Sequence, residues 1–418
     1  MMRAISMLLL SGALGAGVVG AAVTLKTNAP SSASSGDDDR RPGPDSGRVA
    51  ILLDALGKTD PVVCELLGDQ IGNFWNSGER GGVGRLAATP ASLQAAKDSI
   101  GGHISDPRAI NLLVSELSAP NPCVRRVASK MLGNSAIAAG RLRTLLDDAS
   151  PTVREAAAHA AGVGEKRDVL ATLETSLGDS DAAVAAMAAW AIGEIEDRSS
   201  LPALARAMKG SQPRVRLAAI WALGQLDDKR AATEVIPALR DADAVTRAMA
   251  ADVLGELESP ASIAPLERAL ADDSDARVRE AAARALGELS AASSATVLGR
   301  ALADADITVR RAAAAALGDL DDLHTAPPGL VTALQSGDAK LREHAASALA
   351  EIHDPATVSA LVGLLGDGNR EIRKHAVEAL GEIGTPVAVG GLTRALEDRD
   401  AEVRRAAVEA LGEAKERN

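Results

Sequence analysis

The 418-residue chain has no tyrosine, one phenylalanine and three tryptophans. A single thick globular core draws much of its volume from aromatic rings, so a core of that kind is excluded for a chain this long. Thin packing of small aliphatic side chains remains, as in arrays whose units touch only their neighbours. Positive charge is in deficit as well: 45 Lys+Arg stand against 57 Asp+Glu, a formal charge of −12. Phosphate backbones need a clustered positive field. No nucleic-acid partner is therefore expected, and the acid excess serves solubility.

Long apolar runs are confined to the N-terminus. After the single charge of Arg3, residues 4–25 run uncharged as AISMLLLSGALGAGVVGAAVTL. This is the n-region and h-region of a secretory signal, with Gly20, Ala21 and Ala22 as small residues near a cleavage point. The run is also about long enough to span a bilayer uncut. Residues 1–25 therefore read as a signal peptide or signal anchor. The rest is expected to be exported, periplasmic or anchored facing outward, and to meet the membrane only through this segment if it stays uncut. Residues 26–48 are rich in Ser, Gly, Pro and Asp, have almost nothing to bury, and read as a disordered linker.

From there to the C-terminus the sequence repeats. A Val-Arg…Leu-Gly block closes on glycine at 133, 162, 193, 224, 255, 287, 318, 381 and 412, with Ala350 in the one gap, at steps of 29 to 32 residues. Weaker copies close at Gly72 and Gly101. Self-similarity at this period marks a solenoid. The expected fold is all-α, a right-handed superhelical solenoid of about twelve units with two helices each.

The second helix of each unit is the clearer one. Three residues before the Val column stand Asp60, Thr89, Asn121, Ser150, Asp181, Gln212, Asp243, Asp275, Asp306, Asp338, Asn369 and Asp400. All but Gln212 are good N-caps, accepting bonds from first-turn N–H groups. Proline follows directly at 61, 90, 122, 151 and 213, where its missing N–H costs nothing. The closing glycine reads as a left-handed residue that ends the helix. With the Val column as position 0, apolar residues at 0, 4, 7 and 8 form one stripe. Alanine at position 4 lets paired helices approach closely. Position 1 carries Arg125, Arg154, Arg216, Arg247, Arg279, Arg310, Arg342, Arg373 and Arg404. With the Asp column these arginines read as a structural ladder of opposite charge, on each helix and across units; an anionic partner is the other reading.

Cys64 and Cys123 fall two units apart, a separation of about 20 Å at helix spacing, too far for a disulfide in a regular array. They read as buried thiols, with an irregular N-terminal cap as the only route to pairing.

The pattern D-x-x-V-R-x-x-A-A-x-A-L-G, clearest from Asp275 to Gly287, resembles the HEAT-like repeats of the phycobilin lyase-like group. The resemblance is strong over residues 120–418, read as regular repeats, and weak over residues 49–119, read as degenerate capping repeats. In the latter, residues 73–89 carry Gly78, Gly81, Gly82 and Gly84 and read as a loop, with Phe74 and Trp75 available to cover the open end of the stack or to make a contact. The resemblance is specific for fold and unspecific for function.

Phycobilin lyases attach a tetrapyrrole to a cysteine of a protein substrate, a role the resemblance alone would imply. Deoxyhypusine hydroxylase shares the architecture and holds two irons between repeated His-Glu pairs. None of the six histidines here precedes a glutamate. His344 and His375 recur at position 3 of adjacent units, about 10 Å apart by repeat spacing, too far to share one metal; they read as flank histidines. Zinc-ligand spacing, a phosphate loop and a nucleophile elbow are all missing. No catalytic, cofactor or metal residues are assigned. The expected function is a monomeric, non-catalytic scaffold that captures a protein or peptide on its concave surface. The alternative is an enzyme or enzyme subunit, chromophore lyase-like or metal-dependent.

Positions 2 and 6 lie opposite the apolar stripe and should be exposed. Position 6 is mostly polar or small, but holds His159, Trp190 and Trp221 in consecutive units. With Ala186 and Leu217 at position 2, these residues are the expected partner-binding patch, apolar and aromatic inside a charged rim. A second reading stands beside it: both tryptophans lie flat on neighbouring helices and cover thin alanine packing.

Overall fold

The structure is a computed structural model that describes residues 45–58 and 103–416. The expected export segment, most of the expected linker, Cys64, Phe74, Trp75 and the stretch expected to form a Gly-rich loop lie outside the described residues. The chain divides into two compact units, one ending at Leu226 and the other starting at Asp227. Among the described residues the regular elements are all helices, and the architecture is an all-α solenoid.

In the first unit the helices are α1 (Ser46–Gly57), α2 (Pro107–Ser115), α3 (Pro122–Gly133), α4 (Ala139–Leu146), α5 (Pro151–Val163), α6 (Leu170–Ser176), α7 (Ala182–Ile195), α8 (Leu201–Met208) and α9 (Pro213–Gln225). The first of them begins inside the expected linker, because Asp45 caps it through Arg48 N. The second unit holds α10 (Ala231–Val235), α11 (Ala244–Glu256), α12 (Ile263–Asp272), α13 (Ala276–Glu288), α14 (Ala295–Ala301), α15 (Ile307–Gly318), α16 (Pro328–Ala333), α17 (Ala339–Ile352), α18 (Val358–Leu364), α19 (Arg370–Ile383), α20 (Pro386–Ala395) and α21 (Ala401–Glu416). Within each unit the second helices stack on one another: α3, α5, α7 and α9 in the first, and α11, α13, α15, α17, α19 and α21 in the second.

The capping column does its expected work at most positions. Asn121, Asp181, Asp243, Asp275, Asp306, Asp338, Asn369 and Asp400 each accept from a first-turn N–H. Ser150 does not; Asp148 binds its N–H instead. The position-4 alanines, from Ala128 through Ala157, Ala188, Ala219 and Ala250 to Ala407, are fully buried.

The closing glycines differ from expectation. They sit inside their helices, and the left-handed residue comes later: Glu165, Glu196, Asp227, Glu258, Ser290, Asp322 and His353 have φ of 46–56°, and only Gly384 among the described glycines has positive φ. The glycines serve close approach. A Cβ on Gly193 would lie 3.0 Å from Ala222 Cα, and one on Gly287 2.9 Å from Ala316 Cα. The Gly column thus lets one second helix touch the backbone of the next, and the turn accepts the cost of a left-handed L-residue.

The arginine ladder exists, but with different partners. Arg154, Arg247, Arg279, Arg342 and Arg373 pair with Asp179, Asp273, Asp304, Asp367 and Asp398 at 2.7–3.1 Å. Each aspartate lies two residues before the N-cap of the next repeat. It also accepts from the N-cap N–H, as Asp304 does from Asp306 N at 2.8 Å. The same guanidinium donates back to a carbonyl before its own helix, as Arg279 Nη1 does to Asp273 O at 2.9 Å. One arginine therefore ties two turns together. Arg310 donates to the carbonyls of Asp304 and Ala305, while its neighbour Arg311 takes Asp338. Arg216 and Arg404 donate to the carbonyls of Gly210 and Asp398.

Cys123 is half-buried and disulfide-bonded, which corrects its reading as a buried thiol. The chain's other cysteine, Cys64, lies outside the described residues.

Candidate binding cleft on the second-helix face

The residues expected to form an exposed aromatic patch are mostly buried. Trp190 is 5 % exposed, Trp221 7 %, Ala186 2 % and His159 5 %, while Leu217 is half-buried. The reason is the Gly column. A large side chain at position 6 folds back onto the preceding second helix, over its closing glycine. A Cβ on Gly162 would lie 2.6 Å from Trp190 Cζ3, and one on Gly193 2.7 Å from Trp221 Cζ3. The tryptophans fill space that the glycines leave, so the expectation that both stand exposed is corrected. The polar position-6 residues Arg284, Glu378 and Glu409 are exposed as expected, while Lys130, Asp252 and Ser347 are half-buried.

Two of the five residues still meet at a surface feature. A cleft of about 410 Å³ runs across α3, α5 and α7 to the start of α9, and His159 and Trp190 both line it. Ala156, Ala183 and Met187 add apolar lining, and Arg125, Arg126, Glu155 and Arg214 add charge. Ala186, Leu217 and Trp221 do not line it. The cleft lies on the face that the position-2 and position-6 columns marked. The sequence pointed to that face, and the cleft begins one repeat earlier in the chain than the expected patch.

The histidine is the unusual member. Its ring stacks on Trp190 with centroids 5.3 Å apart and planes 19° from parallel. Nδ1 lies 2.7 Å from Ser129 Oγ, which is 2.9 Å from the Arg126 carbonyl. Nε2 is buried and has no hydrogen-bond partner among the described residues. Burial, then the charges of Arg126 and Lys130, hold the imidazole pKa down at about 3. The ring is therefore neutral at physiological pH. Burial also pushes the Glu155 carboxyl up, against the pull of Arg214 and Arg125.

In the second unit the second helices carry several half-buried or exposed acids. Burial raises the carboxyl pKa of Asp252, Glu256, Glu288 and Asp319, and Arg284 bridges Asp252 at 2.5 Å. His344 is half-buried near Asp319, and His375 Nδ1 meets Glu378 at 3.2 Å. Sequence reading missed Ser129 and Met187. Ser129 stands at position 5, where the other repeats carry an apolar residue, buried in all of those described but the last, and that departure was its one signal.

Stacked helical hairpins with a surface cleft and a paired Arg–Asp ladder define a helical-repeat solenoid protein. The chain belongs to the HEAT repeat family, whose model matches residues 137–212, 170–241, 205–287, 232–318, 268–338 and 327–412. No curated protein matches the sequence. Among solved structures it is similar to importin beta in an ammonium sulfate condition, at 16% identity and a TM-score of 0.59, over 88% of this chain and 57% of that one. It is also similar to yeast importin-beta, Kap95p, at 14% identity and a TM-score of 0.56, over 89% and 57%. The chain thus spans 57% of the length of these importins. At such identities the likeness is one of fold.

Proposed function

We propose that the chain is an exported, non-catalytic scaffold that captures a protein or peptide segment on the face formed by its second helices. The observation that carries this reading is the cleft in the first unit, with an apolar and aromatic lining beside charged side chains. That is the anatomy of a binding hot spot. Long repeat surfaces commonly serve recognition, and Kap95p, of the same fold at 15% identity, binds RanGDP. Export is supported by the signal-like residues 1–25 and by the disulfide at Cys123, because disulfides persist in oxidising compartments. Within the HEAT repeat family we place the units in the phycobilin lyase-like group, on the block from Asp275 to Gly287.

The test is affinity capture from the native envelope with the full chain and with Met187→Glu, which puts a charge into the cleft at a half-buried site. At equal helical content, wild type should retain at least one protein that the variant loses. Identical retention by both would refute the reading.

A further inference from the structure

We propose that the hairpin α20–α21 is a self-association surface, on which a second copy of this chain docks by laying its own α21 antiparallel to the first. The proposal uses other residues than the cleft and does not depend on it.

The first support is a surface that the other repeats bury and this hairpin exposes. Three of the four large hydrophobic side chains exposed among the described residues belong here: Val387 and Val408 at 61 % and 61 %, and Leu396 at 36 %. Position 5 is buried in every other described second helix, and Val377 there is 0 % exposed. At Val408 the same position faces outward. The closing glycines agree. A Cβ on Gly381 would lie 3.0 Å from Ala410 Cα, whereas one on Gly412 meets nothing within 4 Å. In the ladder, Arg373 holds Asp398, but Arg404 makes no ion pair among the described residues and donates to the Asp398 carbonyl at 2.7 Å. Val408, Gly412 and Arg404 thus present outward the receiving half of the contact that joins successive second helices.

Charge selects the occupant. Arg404 and Arg405 precede Val408 on α21, and Glu409 and Glu413 follow it. A segment of one charge would be drawn to one side of Val408 and repelled at the other. A second α21 running the opposite way matches both sides. Helix phase puts Arg405 about 60°, Glu409 about 100° and Glu413 about 140° round the same flank from Val408. A twofold axis at Val408, perpendicular to the helices, sets that flank against its own copy. Arg405 then comes level between Glu409 and Glu413 of the second copy, about 3 Å along the axis from each. A parallel pair would instead bring Arg405 against Arg404 of the second copy. Arg405 meets its own Glu409 at 3.2 Å, but the two side chains are 81 % and 63 % exposed, so the pair is weak and can add another carboxylate. A cavity of about 490 Å³ lies on this flank, where five carboxylates stand against Lys374 and Arg405. The guanidinium of the second copy enters it with the sign the cavity lacks. The contact is one hairpin wide, so the dimer should be reversible, with a dissociation constant on the order of micromolar or weaker.

The experiment is sedimentation equilibrium of the full chain over about a hundredfold concentration range reaching above the micromolar. The mass should rise to that of two chains and stop there, because a twofold contact closes on itself. Val408→Glu sets two carboxylates together at the axis and should weaken the dimer about tenfold or more. Arg405→Glu should weaken it similarly, and adding Glu409→Arg and Glu413→Arg should restore it to within about threefold of wild type. All four positions carry exposed side chains, and circular dichroism should show the same helical content in each variant. Ile51→Glu, at the remaining exposed hydrophobic, should leave the dimer unchanged. A mass that stays at one chain overturns the proposal. So does growth beyond two chains, association that Val408→Glu leaves intact, or a charge reversal that fails to restore it. Loss of association in Ile51→Glu would mean that copies stack head to tail instead, and overturns it as well.

Discussion

Replacing Gly162 with alanine separates the two roles a closing glycine could play. Gly162 lies inside α5 with ordinary helical backbone, so helix propensity alone predicts a gain of about 1 kcal/mol for alanine. Packing predicts the reverse. The new Cβ would stand 2.6 Å from Trp190 Cζ3, 2.9 Å from Ala191 Cα and 3.1 Å from Ala191 Cβ. Ala188 and Ala191 are fully buried, so α7 has little room to withdraw. Overpacking of this kind costs about 1–3 kcal/mol, and set against that gain the net expectation is a loss of up to about 2 kcal/mol. Gly390 is the control: it lies inside α20, and a Cβ there meets nothing within 4 Å. Gly390→Ala should stabilise by about 0.5–1 kcal/mol. The assay is urea denaturation of the full chain followed by far-ultraviolet circular dichroism. Adding Trp190→Ala to Gly162→Ala should cost less than the two single changes summed, because the ring that clashes is gone. A rise in the Gly162→Ala midpoint to match Gly390→Ala would refute the close-approach argument.

Two further outcomes follow from the ladder. The Arg373 and Asp398 side chains are 3 % and 9 % exposed, so Arg373→Met strands a buried carboxylate and should cost about 3–5 kcal/mol by urea denaturation; Arg310→Met, which breaks no close ion pair among the described residues, should cost far less. Arg154 holds the Asp179 carboxyl, and Arg279 the Asp304 carboxyl, below the usual range. Their folded pKa values lie under the unfolded value of about 3.9, so their stabilisation is complete above it and lost as pH falls through the folded values. These carboxylates by themselves should leave urea midpoints level from pH 8 to 5 and lower them below about pH 4, with a smaller acid loss in Arg279→Met; the buried neutral His159 should add a fall that begins below its unfolded pKa of about 6.5.

The legible part of this protein is the local part. Helix phase, the N-cap residues and the identity of buried columns are properties of a few consecutive residues. Asp181 caps α7 and Ala157 is buried whatever lies further off. The face that carries the cleft was legible for the same reason, since helix phase fixes which columns point away from the stripe.

Contacts between successive second helices were not legible, because they depend on how far one repeat is offset from the next. That offset sets Arg279 against Asp304 rather than against the N-cap Asp306. It also lays Trp190 over Gly162, which buries a residue that helix phase marks as exposed. The orphaned Nε2 of His159 belongs to this second class, since it arises only where Ser129, His159 and Trp190 from three successive repeats converge. By itself the sequence determined the repeat, its helices and their polar and apolar sides. The tertiary structure alone decided which side chains meet across repeats, because a period in sequence fixes angular position on a helix but not the translation between neighbouring helices.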